Sequence, residues 1–337
     1  MSSSNLPVRP DGQVIVTGSL AFDQIMVFPG SFKDHILPDK LHIINISFLV
    51  SEMRKQRGGC AGNIAYTLAL LGHDARVVAA AGNDFDAYDE WMREQGVDMD
   101  GVETFADETT ASCHITTDQD DNQITGFFVG AMARAGELSL KERMGDRPAL
   151  CIVAPDDPGA MMRHCQEARE AALPFLFDPS FQVTAMDGES LTAAARGAAM
   201  LVVNDYEYAV FLKKTGRDDD TIFDLVDMVI VTLGGEGSKI RRKGQDDLLI
   251  PAAKAELTDP TGAGDAFRAG FVAGLMRGHE LEICGRMGSV TSAYVVELSG
   301  TQSHAYTQEA FERRYADNFG PLPQPAAEST DRVPTVG

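Results

Sequence analysis

The chain has 337 residues, 44% of them apolar, which is enough for a large α/β domain with an accessory element. Its net charge of −21 argues against a nucleic-acid backbone or an anionic membrane as partner, because both repel an acidic surface. Five cysteines without a CxxC pair suit a reducing cytoplasm and give no zinc framework, and neither an apolar leader nor a membrane-length apolar run is present, so a soluble cytoplasmic protein is expected.

Residues 13–18, QVIVTG, read as a buried first strand that places Asp23 at its outgoing end. Ligands of open α/β sheets bind at the carboxyl ends of strands, although a turn would also accept an Asp. From Gln24 to Val50 the apolar residues are isolated and broken by Pro29, Gly30 and Pro38, which suggests an irregular strand pair apart from the main sheet. Gly58 and Gly59 then open a helix whose buried positions are Ile64, Leu68 and Leu71, ended by Gly72 and followed by the strand ARVVAAAG. Asn63 falls in the first turn of that helix, where its amide can either reach a ligand hydroxyl or cap the local backbone.

Residues 86–95 read as a helix stopped by Gly96. Residues 109–128 read as a hairpin around the turn Asp118–Asn122 and would join the earlier strand pair in a small sheet over the mouth of a site. Phe127 and Phe128 face opposite ways at its end, so one can stack on a substrate ring while the other packs inward, and Phe128 is taken as the stacking candidate. From Pro148 onward ALCIVAP, PFLFDPS and MLVVN alternate with helices over 159–172 and 189–198. This rhythm predicts an α/β fold with a doubly wound, mainly parallel sheet flanked by helices. The last of these strands opens into Asn204-Asp205-Tyr206-Glu207, which as it stands is also a good helix start. Residues 227–243 read as strand, Gly-rich turn and strand.

DPTGAGDAFRAGF, residues 259–271, is the most informative stretch. Gly262 and Gly264 allow a tight turn with N–H groups aimed at one point, and Phe267, Phe271 and Leu275 mark the buried face of the helix that follows. A helix start of this kind attracts phosphate. Asp265, in the first turn, is kept ionised by the helix dipole and can accept a proton from a hydroxyl, although a plain cap would also use Asp. A further helix is expected over about 281–297, and nothing distinguishes Ser299, Thr301 and His304 beyond it. Residues 321–337 are Pro-rich and polar and read as a flexible tail.

The TGAGD string resembles the C-terminal signature of the ribokinase-like (PfkB) carbohydrate and nucleoside kinases, and the Gly-Gly…Asn string with its helix ending in Leu-Gly resembles their N-terminal signature. The two occur in the family's order, about 200 residues apart. The resemblance covers roughly residues 13–319 and implies a kinase domain over 1–320, with lid strands within about 22–52 and 107–131. It implies that Gly262, Ala263 and Gly264 form an anion hole with Asp265 as the base, and that Asp23, Gly58, Gly59 and Asn63 hold the acceptor. Asn204 and Glu207 resemble the NxxE motif linked to Mg²⁺, with Glu207 acting through water. Thr232, Gly234 and Gly237 resemble a nucleotide-binding TxGxxG segment. ATP and Mg²⁺ are the implied cofactors. Potassium is a further one to test, since relatives hold a monovalent cation near the loop that here reads LTDPTG, and the lid can clasp a second copy of the chain. In whole-chain style the sequence looks like bacterial adenosine kinases, which implies transfer to the 5′-hydroxyl of adenosine to give AMP. Ribokinase or another sugar kinase, and a non-catalytic nucleoside-binding protein, are the alternatives. A P-loop enzyme or a dinucleotide-dependent dehydrogenase would need GxxxxGK[ST] or GxGxxG, and the chain has neither.

Overall fold

Short β-branched runs alternate with helical segments along most of the chain, and the buried strands of the main sheet form where those runs lie. The structure is a computed structural model that describes residues 9, 11–35, 47–120 and 122–324. Residues 36–46 of the first expected strand pair and 325–337 of the expected tail lie outside the described residues.

The first half runs β1 (Gln13–Thr17), β2 (Ala21–Val27), β3 (Glu52–Gly58), α1 (Cys60–Leu70), β4 (Ala75–Val78), β5 (Ala80–Gly82), α2 (Asp86–Glu94), β6 (Glu103–Phe105), β7 (Ala111–Thr117), β8 (Gln123–Phe128) and a short α3 (Leu140–Arg143). The second half runs β9 (Pro148–Val153), α4 (Pro158–Glu170), β10 (Phe175–Phe177), α5 (Gln182–Ala185), α6 (Gly188–Ala195), β11 (Met200–Asn204), α7 (Asp205–Thr215), β12 (Met228–Thr232), β13 (Ser238–Arg242), β14 (Leu248–Ile250), α8 (Ala263–Met276), α9 (Leu281–Val296) and α10 (Gln308–Phe319).

Eight strands form the main sheet in the order β14-β13-β12-β11-β10-β9-β1-β4. The six from β12 to β4 are parallel, and β13 and β14 are an antiparallel edge. Alternate residues of each strand face opposite sides. Val14, Val16, Ile152 and Ile230 pack with Ile64, Leu68, Phe267, Phe271 and Met287 of α1, α8 and α9, whereas Ile15, Val153, Phe177 and Val203 pack with α4, α6 and α7. Helices on both faces make the sheet doubly wound, as expected. No helix among the described residues is long and apolar enough to cross a membrane.

A separate four-stranded sheet has the order β3-β2-β7-β8. β7 and β8 are the expected hairpin, but the antiparallel partner of β2 is Glu52–Gly58, which lies wholly beyond the 24–50 stretch. EMRKQRG carries no apolar alternation, so its strand character comes from a seven-residue ladder with β2. ARVVAAAG divides: β4 is the last strand of the main sheet, its outer edge bridged by the backbone of Asp98, and after Val78 the chain leaves it to pair β5 with β6.

β3 passes into α1 through the single residue Gly59. Its φ is +89°, and a Cβ there would lie 2.5 Å from the Ser19 carbonyl oxygen and 2.7 Å from the Ala21 nitrogen. Both strain and clash forbid a side chain. Gly59→Ala is expected to lower unfolding stability by about 2–4 kcal/mol in denaturant titration, whereas the same change at Gly72, where a Cβ meets nothing within 4 Å, carries only the backbone cost.

Candidate active site

α8 begins where Gly262, at φ +81°, turns the chain into the helix. A Cβ at Gly262 would sit 2.9 Å from Thr301 Cγ2, so the turn is tight as well as left-handed. The Ala263 amide donates to Pro260 O at 3.2 Å and closes the turn, while the Gly262 and Gly264 amides have no acceptor among the described residues. The expected three-amide hole therefore has two free donors, and Ala263 serves first to shape the loop.

Asp265 is half-buried in the first turn of α8. Its Oδ2 accepts from Asn63 Nδ2 at 2.8 Å, which joins the starts of α1 and α8. Burial raises the Asp265 pKa, opposed by the Arg268 charge and by hydrogen bonds from Asn63 and Cys60. Asn63 is thus not a backbone cap, and its oxygen accepts from Gln302 Nε2 at 2.9 Å.

One turn along α8, Arg268 folds back over the helix start. Its Nη1 would be 2.5 Å from a Cβ on Gly264, and its Nη2 donates to Asp178 Oδ1 at 2.6 Å. Asp178 follows β10 and is fully buried. Burial raises its pKa, and the Arg268 charge opposes that shift. Neither residue was singled out from the sequence, yet a charge inside the otherwise apolar run AFRAGFVAGLM was a readable signal, because buried arginines are paired.

Asp23 lies within β2 in the small sheet, not at the outgoing end of β1. Gly58 lets it approach, since a Cβ at Gly58 would be 2.6 Å from Asp23 Oδ2. Its pKa is raised to about 6, mainly by burial and then by the Asp259 carboxylate. Asp23 pairs with Gln56 and Cys113, and Cys113 pairs with Phe127, so these four share one face. Phe128 pairs with Ser112, which pairs with Phe22, and so lies on the opposite face. The register therefore gives Phe127, rather than the expected Phe128, the side on which Asp23 stands.

Asn204 and Glu207 are first of all a capping box: Asn204 Oδ1 accepts from the Glu207 amide at 2.7 Å, and Glu207 Oε2 accepts from the Asn204 amide at 2.8 Å. Ser180 Oγ donates to Glu207 Oε1 at 3.4 Å, and Glu207 also acts electrostatically on Asp178 and Arg268. Thr232 ends β12 in register with Asn204, and Gly234 and Gly237 hold φ of +58° and +98° in the turn that follows. Among the described residues no hydrogen bond or ion pair links Thr232, Gly234 or Gly237 to Asp265. They lie at neighbouring strand ends. Nor does any group of three or more His, Cys, Asp or Glu side chains there form a metal cage.

The pfkB family carbohydrate kinase model matches residues 24–308. The nucleoside kinase of Methanothermobacter thermautotrophicus is 30% identical over 92% of this chain and 97% of its own. Among solved structures, the nucleoside kinase of Burkholderia thailandensis in complex with inosine is 38% identical, with a TM-score of 0.82 over 92% of this chain and 99% of that one. The nucleoside kinase of Methanocaldococcus jannaschii gives a TM-score of 0.83 at 28% identity, over 91% and 99% of the two chains. The chain belongs to the pfkB family of carbohydrate kinases and has the ribokinase-like fold, so it is a phosphotransferase with a hydroxyl acceptor.

Two outcomes follow from the charges. The folded state holds the Asp23 proton more tightly than the unfolded chain does, so the ionised carboxylate costs stability above about pH 6 and the cost fades as pH falls to the ordinary value of 3.8. Asp23→Asn is expected to raise the melting temperature at pH 8, with the gain gone near pH 4, and an equal gain at both pH values would contradict this origin. Arg268→Met strands the buried Asp178 and should cost about 3–5 kcal/mol in urea unfolding. Removing both charges, with Arg268→Met and Asp178→Leu together, should recover part of that loss.

Proposed function

We propose that this protein transfers the γ-phosphoryl group of ATP to the 5′-hydroxyl of a purine nucleoside, with adenosine, giving AMP, as the first candidate. The observation that carries the reading is the 2.8 Å bond from Asn63 to Asp265, because it brings a base from one signature and an amide from the other to a single point.

In this reading Asp23, Gly59 and Asn63 hold the sugar hydroxyls, and the acceptor oxygen lies against Asp265 Oδ1. Asp265 takes the hydroxyl proton as the oxygen attacks the γ-phosphorus, and the bond to the β–γ bridging oxygen breaks to release ADP. The Gly262 and Gly264 amides, with the Arg268 guanidinium beside them, receive the charge that builds on the transferring group. The strand-end residues Asn204 and Thr232, with Gly234 and Gly237, hold the nucleotide. Both Glu207 oxygens already accept hydrogen bonds, which suits a magnesium ion that keeps its own waters and meets Glu207 through one of them. That ion would neutralise phosphate charge.

The relatives named nucleoside kinases support a nucleoside acceptor, and Phe127 on the Asp23 face supplies a ring on which a base can stack. The small sheet would act as the lid that keeps water from ATP. Its opposite face, with Met53, Ile124 and Phe128 exposed, suits a second copy of the chain. Five unpaired cysteines and an ATP substrate favour a cytoplasmic location.

Asp265→Asn should lower kcat by on the order of 10²–10⁴ while leaving the fold intact by circular dichroism, and near-parental turnover would sink the base assignment. Initial rates with adenosine, inosine, guanosine, ribose and fructose 6-phosphate, each with Mg·ATP, test the acceptor. Ribose or fructose 6-phosphate outpacing every nucleoside would refute it. Repeating the best pair in potassium and in sodium salts tests the cation at the LTDPTG loop.

A further inference from the structure

The direction of one buried hydrogen-bond chain can be worked out from its far end. Tyr88 on α2, Gln302 between α9 and α10, and Asn63 on α1 are 1%, 7% and 5% exposed. A backbone carbonyl only accepts, so the single hydroxyl proton of Tyr88 goes to Gly58 O at 2.9 Å. The Tyr88 oxygen must then accept, and Gln302 Nε2 donates to it. The other Nε2 proton goes to Asn63 Oδ1 at 2.9 Å. With its oxygen so engaged, Asn63 can present only its NH₂ group to Asp265, and it does so at 2.8 Å.

Nothing on α1 fixes that orientation. Thr67 bonds the Asn63 backbone oxygen, and among the described residues the Asn63 side chain has two partners, Gln302 and Asp265. Turned over, the amide would set its oxygen against the Asp265 carboxylate. We propose that Gln302 and Tyr88 are positioning residues for phosphoryl transfer, locking the Asn63 amide with its NH₂ toward Asp265 so that the base stays in its proton-accepting form with Oδ1 turned to the acceptor hydroxyl. The inference rests on the reading of Asp265 as the base and extends it to two residues that touch neither substrate nor base.

The test compares Gln302→Glu, which replaces the NH₂ donors with an acceptor oxygen in nearly the same shape, Gln302→Met, which removes the whole amide without adding a charge, Tyr88→Phe and Asp265→Asn. kcat, both KM values and the kcat–pH profile are measured with Mg·ATP and with adenosine and inosine as acceptors. Gln302→Glu should lower kcat about tenfold at neutral pH and move the acid limb upward by about one pH unit. Gln302→Met should lower kcat with a smaller upward shift of the acid limb, Tyr88→Phe should lower it about two- to fivefold with a shift in the same direction, and KM for ATP should hold within about twofold in all three. A role in packing alone would lower the melting temperature and leave the acid limb where it is, which overturns the proposal. Should Gln302→Glu not fold, the limb positions of Gln302→Met and Tyr88→Phe decide in the same way. An inactive Asp265→Asn beside unmoved Gln302 and Tyr88 variants rejects this inference alone, whereas an active Asp265→Asn rejects the base assignment and this inference with it.

Discussion

Asp265 draws two remote segments together because a carboxylate taken out of water needs donors, and among the described residues its own helix supplies none to the side chain. The α8 start offers its dipole, while its Gly262 and Gly264 amides stay open. The 2.8 Å hydrogen bond to the carboxylate comes from Asn63, which lies 202 residues earlier in the chain. Once that bond is required, the starts of α1 and α8 must meet, and both helices must lie on the same face of the main sheet, where Ile64, Leu68, Phe267 and Phe271 fill one core. The packing and the chemistry thus impose the same arrangement on these two helices.

The same neighbourhood concentrates charge to a degree that stability alone would not select. Asp178, Asp265 and Glu207 all act on the one guanidinium of Arg268. Buried ion pairs of this kind often break even against apolar residues of equal size. Their presence at the outgoing ends of β10 and β11 is intelligible if the region must hold a migrating phosphate, since a fixed guanidinium beside two open amides is then already organised for the charge that arrives. In a chain with a net charge of −21, the open Gly262 and Gly264 amides at the start of α8, rather than any excess of cationic side chains, are the groups suited to an anionic substrate.

Much of this was legible in the sequence, for identifiable reasons. The glycine motifs could be read because Gly59 and Gly262 adopt backbone angles closed to other residues, and the strands because Val, Ile and Leu runs buried on both faces have few other uses. β3 was illegible because its residues are charged and its strand state is dictated by its partner. α10 was passed over, although Thr307 caps it and Phe311 and Tyr315 sit four apart on its buried face. The side of the small sheet on which an aromatic falls depends on register, and register is set by pairing rather than by any single strand, which is why Phe127 and Phe128 could not be told apart beforehand. Tyr88 and Gln302 lie in unrelated segments and become a chain only when folded, and no local pattern announces such a contact.

Gly59 stands alone between the last residue of β3 and the first of α1. The junction therefore contains no slack: strand and helix are geared together, and any tilt of the small sheet is delivered to the turn that carries Asn63. One extra residue in the first turn of α1, ahead of Asn63, would turn Asn63 by about 100° around the helix axis and swing it away from its carboxylate. The length of the junction is thus under a stricter constraint than its chemistry, and pliancy in the small sheet has to be accommodated at its other connections.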